Sequence, residues 1–176
     1  MYEEIVIAGF GGQGVMSLGK VIAHAGMKAG KEISWIPSYG PEMRGGTANC
    51  TVIISDKRIP SPFSSEPDTA IIMNLPSMNK FIGQVKSGGK ALINSSLIDE
   101  EIARKDIKLI RVPAGKIASR LGNDRVANMV MLGAYLNTIE LLSPDDIEKS
   151  LKKILPERRH NLLAINKKAL KEGLKL

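Results

Sequence analysis

The feature that most constrains the fold is a short apolar run that leads directly into a glycine cluster and then into a helical pattern. Residues 4–9 form the apolar run, and residues 14–30 carry apolar side chains at three- and four-residue spacing. This order is typical of a buried strand, a tight turn and an amphipathic helix. It predicts a chain in which helices pack against a sheet.

Strand-like and helix-like segments alternate along the rest of the chain. Further strands are predicted at 32–37, 48–55, 69–74, 88–94 and 107–112, and further helices at 76–84, up to Gly122, at 125–142, from Ser143 and after Pro156. The alternation predicts an α/β fold, a three-layer sandwich with a mainly parallel, Rossmann-like sheet. A length of 176 residues suits a single domain, with a basic helical tail from about residue 144.

The positive charge is concentrated at the end of the chain. Residues 1–148 contain 16 basic and 16 acidic residues, whereas residues 149–176 contain nine basic and two acidic residues, which gives the net charge of +7. The tail has no aromatic residue to stack on a base, so we expect a solvated or partner-facing helix and no nucleic-acid binding.

Other classes of protein are disfavoured by composition. The apolar runs are far shorter than the roughly 20 residues that cross a membrane, and the first residues lack the basic region of a signal peptide. A single cysteine, Cys50, excludes an internal disulfide and a cluster or zinc site ligated by cysteines of this chain alone. We therefore expect a cytoplasmic protein without a membrane partner and without a metal site of its own.

The segment 125–142 is apolar around nearly its whole circumference. A helix of this kind is buried on all sides. Either it is central to the domain, or one of its faces contacts another chain. Because Gly133 in its middle indicates close helix packing, we favour the subunit interface and expect the chain alone to form a homodimer.

The glycine cluster resembles the dinucleotide-binding pattern GxGxxG. Glycines between a strand and a helix bring backbone N–H groups close to an anion. However, the acid expected at the end of the second strand is missing, because Glu32 lies at its start. Nucleotide binding, docking of another anion and a purely structural turn all remain open. The candidate residues for binding an anion are Gly9, Gly11, Gly12, Gln13 and Gly14.

A second polar loop follows the second strand, which places it on the same sheet edge as the glycine cluster. It combines a hydroxyl, a phenol, a carboxylate and a guanidinium with a proline and three glycines. We predict a functional loop at this ligand-binding edge rather than an idle surface pair of Glu42 and Arg44. Its candidate residues are Ser38, Tyr39, Gly40, Pro41, Glu42, Arg44, Gly45 and Gly46.

Asn123, Arg125 and Asn128 precede or begin the apolar helix, where they are candidates for contact with a ligand or a partner. His24 shares a helix face with two lysines, and we expect it to be solvated. The sequence presents no Ser–His–Asp set and no paired catalytic acids. We therefore predict no catalytic residue in this chain.

Several motifs in colinear order over about residues 3–140 resemble the gamma subunit of 2-oxoacid:ferredoxin oxidoreductases. They are GFGGQGV, PSYGPEMRGGTANCTVIIS, MNLPS, INSSLI and GNDRVANMVMLGAY. The resemblance implies the fold of domain III of pyruvate:ferredoxin oxidoreductase. Within the family, GPEMRGGTANC is most similar to the 2-oxoglutarate branch, while the pyruvate, 2-oxoisovalerate and indolepyruvate branches remain open.

The resemblance also implies a division of labour. A 2-oxoacid is decarboxylated on thiamine diphosphate and Mg in the alpha and beta subunits, and electrons pass through [4Fe–4S] clusters to ferredoxin. Coenzyme A takes the acyl group. The gamma subunit, inactive alone and without a bound cofactor of its own, helps to form the coenzyme A site and the interface with alpha and beta. The resemblance makes the glycine cluster and the loop 38–46 candidate elements of the coenzyme A site or of the interface, with the loop facing the partner subunits near the active site. The presence of a delta subunit is left open. The alternative is an independent Rossmann-like nucleotide-binding protein.

Overall fold

The computed structural model describes residues 1–38 and 47–176. The strands are β1 (Tyr2–Phe10), β2 (Glu32–Ser38), β3 (Thr47–Ser55), β4 (Thr69–Ile72), β5 (Lys90–Asn94) and β6 (Lys108–Val112). The α-helices are α1 (Val15–Lys28), α2 (Leu75–Phe81), α3 (Ala114–Arg120), α4 (Ala127–Leu136), α5 (Pro144–Ile154) and α6 (Leu163–Gly173). Short 3₁₀ segments occupy Ile82–Gln84, Asp124–Val126 and Glu157–Leu162.

The six strands form one sheet in the order β2-β3-β1-β4-β5-β6. The pairs β1–β4, β4–β5 and β5–β6 are parallel, whereas β3 is antiparallel to both β1 and β2. Every strand except β3 therefore runs in the same direction. Their carboxyl ends share one edge of the sheet, and this edge is where open α/β sheets bind ligands.

Helices cover both faces of the sheet, which confirms the predicted layers. The larger core packs α1, α3, α4, α5 and α6 against one face through residues such as Ile7, Ile71 and Leu92. The smaller core packs α2 and the segments around it against the other face, where Val6, Ile72 and Phe81 are buried. β1 and β4 are buried on both sides, and their successive residues join the two cores in turn because side chains alternate along a strand with a period of two.

The apolar helix is shorter than predicted and lies inside the domain. Its α-helical part ends at Leu136, where the Thr138 hydroxyl donates to the Tyr135 carbonyl oxygen and closes a turn. Nine of its ten residues are buried, between the sheet on one side and α6 on the other. The predicted subunit interface on this helix is therefore wrong, because residues of the same chain cover it. The homodimer stays a prediction without this support.

Local signals in the sequence explain where other helices begin. Ser143 caps α5 in a reciprocal arrangement with Asp146, and Pro144 occupies the first helical position, as predicted. Asn74 caps α2 by accepting a hydrogen bond from the Ser77 amide at 2.9 Å, so β4 ends earlier than predicted. None of the helices in the described ranges is long and apolar enough to cross a membrane.

Candidate functional site

The turn between β1 and α1 lies at the carboxyl edge of the sheet. Gly12 and Gly14 have φ angles of 96° and 78°, a region of backbone conformation that favours glycine. Gly14 is the N-cap of α1 and offers no side chain to bond the first turn of the helix. The free N–H groups at this end of α1, together with the helix dipole, favour an anion.

Gln13 and Gly9 hold the turn in place from within the protein. The Gln13 Oε1 accepts hydrogen bonds from the Phe10 amide at 2.6 Å and from Asn74 Nδ2 at 3.3 Å. A Cβ on Gly9 would lie only 2.8 Å from the Met73 Cβ, so glycine is required for packing there. The structure thus gives both residues a structural role, and ligand contacts by them stay predictions.

A cavity of about 660 Å³ opens beside this turn. The turn and the start of α1 form one wall, residues 123–129 form a second, and residues from α5 to α6 form a third. Much of the lining is apolar and includes Phe10, Met16, Met129, Leu151, Ile154 and Leu162. The cavity therefore joins an anion-attracting helix end to an apolar surface, a combination that suits a ligand with a charged head and a neutral arm.

The electrostatic character of the cavity is positive. Arg125 and Arg159 line it, and no acidic side chain of residues 1–38 or 47–176 does. Arg159 belongs to the basic tail and is not among the site residues predicted from the sequence. The only sequence signal for a role of Arg159 is the concentration of charge in residues 149–176. That pattern does not show that the tail folds back onto the glycine turn. The N-terminus of α1 adds a partial charge of roughly +0.5.

The three candidates at the start of the apolar helix are brought to this cavity. The Asn123 Oδ1 accepts a hydrogen bond from the Arg125 amide at 3.0 Å and so caps the 3₁₀ turn that presents Arg125. Asn128 is 6% exposed, and its Nδ2 donates to the Gly14 carbonyl oxygen at 3.3 Å. A Cβ on Gly14 would overlap the Asn128 amide. Asn128 therefore joins α4 to the glycine turn.

The ends of the second polar loop also reach this edge. Thr47 pairs with Phe10 in the sheet and lines the cavity, and Ser38 pairs with Asn49 at the exposed end of β2. The remaining candidates of this loop lie outside the described residues. They are Tyr39, Gly40, Pro41, Glu42, Arg44, Gly45 and Gly46.

A second cavity of about 460 Å³ lies on the other side of the turn and shares Gly12 and Arg125 with the first. Apart from the shared Arg125, its polar side chains already have partners inside the protein. The Asn94 Oδ1 accepts from the amides of Ser96 and Gly115, and the Ser119 hydroxyl donates to Asp124 at 2.5 Å. The first cavity, with its uncapped helix and two arginines, is therefore the better ligand site.

Other reactive groups lie outside the cavity. Cys50 is buried under α1, and burial raises the pKa of its thiol to about 12, which makes it a core residue as predicted. His24 was expected to be solvated, but this is wrong, because α5 packs on α1 and brings Ser150 Oγ to 2.9 Å from its Nδ1. Within the described ranges, no three His, Cys, Asp or Glu side chains cluster.

Glu32 is the acidic residue of β2, the strand whose carboxyl end carries the acid that binds ribose in dinucleotide-binding proteins. It lies at the start of β2, at the sheet edge opposite the glycine turn, and β3 separates β2 from β1. The described residues thus lack the second element of the dinucleotide pattern at the expected place.

Comparison with known protein families identifies the family to which the chain belongs. A family model described as pyruvate ferredoxin/flavodoxin oxidoreductase matches residues 4–176. The chain belongs to this family. Its resemblance to the gamma subunits of this oxidoreductase family is confirmed by named relatives and by a similar solved structure.

Two relatives differ in how much of their length they share with the chain. The ketoisovalerate oxidoreductase subunit VorA of Methanothermobacter marburgensis is 43% identical over 133 residues, which cover 76% of this chain and 28% of VorA. The 2-oxoglutarate synthase subunit KorC of Methanocaldococcus jannaschii is 33% identical over 172 residues, which cover 95% of this chain and 92% of KorC. The alignment with the present chain thus covers little more than a quarter of VorA but nearly all of KorC.

A similar solved structure supports the fold. The gamma subunit of a keto/oxoacid ferredoxin oxidoreductase from Geobacter sulfurreducens superposes with a TM-score of 0.83 at 28% sequence identity. The match covers 98% of this chain and 96% of the Geobacter chain. The arrangement of sheet and helices described above is therefore that of a gamma subunit of this oxidoreductase family.

Proposed function

We propose that the chain is the gamma subunit of a 2-oxoglutarate:ferredoxin oxidoreductase. The observation that carries the proposal is the family match over residues 4–176 together with the agreement in length with KorC. The holoenzyme would oxidatively decarboxylate 2-oxoglutarate to succinyl-CoA and reduce ferredoxin. The chain would act only in a complex with alpha and beta subunits, with a delta subunit as a further candidate partner.

A second substrate has its own support. The chain is more similar to VorA than to KorC over the part that aligns, which favours 2-oxoisovalerate. We rank 2-oxoglutarate first because GPEMRGGTANC resembles that branch and because KorC matches along nearly its whole length. Substrate choice would lie mainly in the alpha and beta subunits, since the sequence predicts no catalytic residue in the gamma chain.

The cavity beside the glycine turn fits coenzyme A. The uncapped N-terminus of α1 and Arg125 would bind a phosphate group, and the apolar wall from Phe10 and Leu151 would contact the pantetheine arm. Gly14 lacks the Cβ that would fill the space beside Asn128. Coenzyme A supplies the thiol that accepts the acyl group. The residues of this chain would only bind the coenzyme and exclude water around it.

The other cofactors of the holoenzyme belong to its partners in this proposal. A [4Fe–4S] cluster needs about four thiolates, and the chain contains one cysteine, which is buried. Thiamine diphosphate needs carboxylate or amide ligands for its Mg, and the described residues bring no such acidic cluster together. The gamma chain would therefore complete the coenzyme A site and bind the partner subunits near the glycine turn.

Reconstitution tests the proposal. The chain is co-expressed with the alpha and beta subunits of its source, and the complex is purified through a tag on alpha. Ferredoxin reduction is then measured with 2-oxoglutarate, 2-oxoisovalerate and pyruvate, with a preparation lacking this chain as the control. We expect assembly and the highest kcat/KM with 2-oxoglutarate. A preference for 2-oxoisovalerate favours the second substrate, and absence of assembly contradicts the subunit assignment.

A further inference from the structure

The cavity contains two positively charged features that come from distant parts of the chain. One is the N-terminus of α1 with Arg125, which the turn at Asp124–Val126 presents. The other is Arg159, which reaches the cavity because α5 and α6 pack against the rest of the domain. These are two positive features on separate walls of a cavity that no acidic side chain of residues 1–38 or 47–176 lines, and they favour a ligand with more than one anionic group.

Hydrogen bonds hold the backbone around Arg159, while the Arg159 side chain is available to bind a ligand. The Arg159 amide donates to the Pro156 carbonyl oxygen at 2.8 Å, and His160 Nε2 lies 3.0 Å from the Leu155 carbonyl oxygen. Leu155 and Leu162, on either side in sequence, line the cavity as well. Across the part of the chain that the structure describes, the Arg159 guanidinium forms no hydrogen bond or ion pair. The segment therefore holds the base of Arg159 at the cavity and leaves its charge for a ligand.

We propose that Arg159 binds a second phosphate group of the ligand, separate from the one at α1 and Arg125. The ligand class is a nucleotide that carries phosphate at two positions. This inference rests on the proposed function, because coenzyme A is such a nucleotide, and it deepens that function by giving the basic tail a part in recognition. A planar guanidinium is suited to phosphate because it forms two parallel hydrogen bonds.

Calorimetry on the full chain tests this proposal with two probes that differ by one phosphate. They are adenosine 3′,5′-bisphosphate and adenosine 5′-monophosphate. The variants are Arg159→Gln, Arg159→Lys and Arg158→Gln. Arg158 is the matched control because it is adjacent, is also exposed and does not line the cavity.

We expect the wild-type chain to bind the bisphosphate about tenfold or more tightly than the monophosphate, the range for a charge-assisted hydrogen bond. Arg159→Gln should remove this preference without changing the affinity for the monophosphate. Arg159→Lys should keep part of the preference, and Arg158→Gln should keep all of it. No preference in the wild type, no binding of either probe, or equal effects of the two Gln variants would overturn the proposal.

Kinetic measurements on the holoenzyme distinguish failure of this inference from failure of the proposed function. In the reconstituted complex, Arg159→Gln should raise the KM for coenzyme A with kcat unchanged, while Arg158→Gln should change neither. Failure of the chain to assemble contradicts the proposed function, and the calorimetry still decides the role of Arg159. An active complex whose gamma chain shows no preference for the bisphosphate contradicts the role of Arg159 alone.

Discussion

Gly133 of α4 and Gly173 of α6 bring the backbones of the two helices into direct contact. A Cβ on Gly133 would lie 2.8 Å from the Gly173 Cα, and a Cβ on Gly173 would lie 2.9 Å from the Gly133 Cα. This contact seats α6 on α4, and α6 contributes Asn166 to the cavity wall. One wall of the candidate site therefore depends on a glycine pair outside it.

Gly133→Ala should destabilise the chain by about 1–3 kcal/mol, because the added methyl group forces the two helices apart. Urea unfolding followed by circular dichroism measures the change. Gly83→Ala is the matched control, since a Cβ there meets nothing within 4 Å and the φ angle is not positive. Equal stability of the two variants would contradict the importance of the glycine contact.

The order of the secondary-structure elements followed from the sequence because its causes are local. Ser143 and Pro144 begin α5 through a capping pattern that involves only neighbouring residues, and Gly30 with its positive φ follows α1 as predicted. The apolar segment 125–142 was different. Its composition indicates burial, but the element that covers it, α6, lies some thirty residues further along the chain. A pattern of apolar residues does not reveal what will cover them.

Only part of the candidate site was predictable from the sequence, again because only local signals can be recognised there. The glycine turn and Arg125 each lie next to a helix start, so their place at the carboxyl edge follows from strand and helix order. The position of Arg159 depends on how three helices pack and has no local signal. The roles of Gln13 and Asn128 also depend on distant partners, Asn74 and Gly14.

Arg104 and Asp106 provide a test of surface electrostatics. Arg104 donates to both carboxylate oxygens at 2.6 Å, which lowers the pKa of Asp106 to about 2. Because the pKa is lower in the folded state, the pair stabilises the chain above the ordinary pKa of an aspartate, and this contribution disappears as the pH falls through about 2. The substitution Arg104→Gln should return the pKa of Asp106 towards its ordinary value, which NMR titration measures. Lys105→Gln should leave it lowered, and an unchanged pKa in both variants would refute the pairing.

Gly12 and Gly14 separate backbone strain from steric overlap in the turn. Both have positive φ, so alanine at either position should cost about 1–2 kcal/mol. Only at Gly14 would the new Cβ also overlap Asn128. Gly14→Ala should therefore unfold at a lower urea concentration than Gly12→Ala. If the two variants unfold at the same concentration, Asn128 does not hold the turn as described.

Ser17→Asp places a carboxylate in the cavity without disturbing a buried contact. Ser17 is exposed, lines the cavity and lies in the first turn of α1. Aspartate there should stabilise the helix by about 0.3–1 kcal/mol through the helix dipole. The same carboxylate would compete with and repel an anionic ligand at the N–H groups of α1.

The expected result is thus a chain that is slightly more stable and binds phosphate less well. Inorganic pyrophosphate is titrated while the backbone amide signals of Val15, Met16 and Ser17 are followed by NMR. Its dissociation constant should rise about tenfold in Ser17→Asp, as for the loss of one charge-assisted hydrogen bond. Ser17→Asn keeps a similar shape without the charge and should bind as the wild type does. Equal affinities of Ser17→Asp and Ser17→Asn would contradict an anion site at the end of α1, because a ligand there lies well within the screening length of this carboxylate and should respond strongly to it.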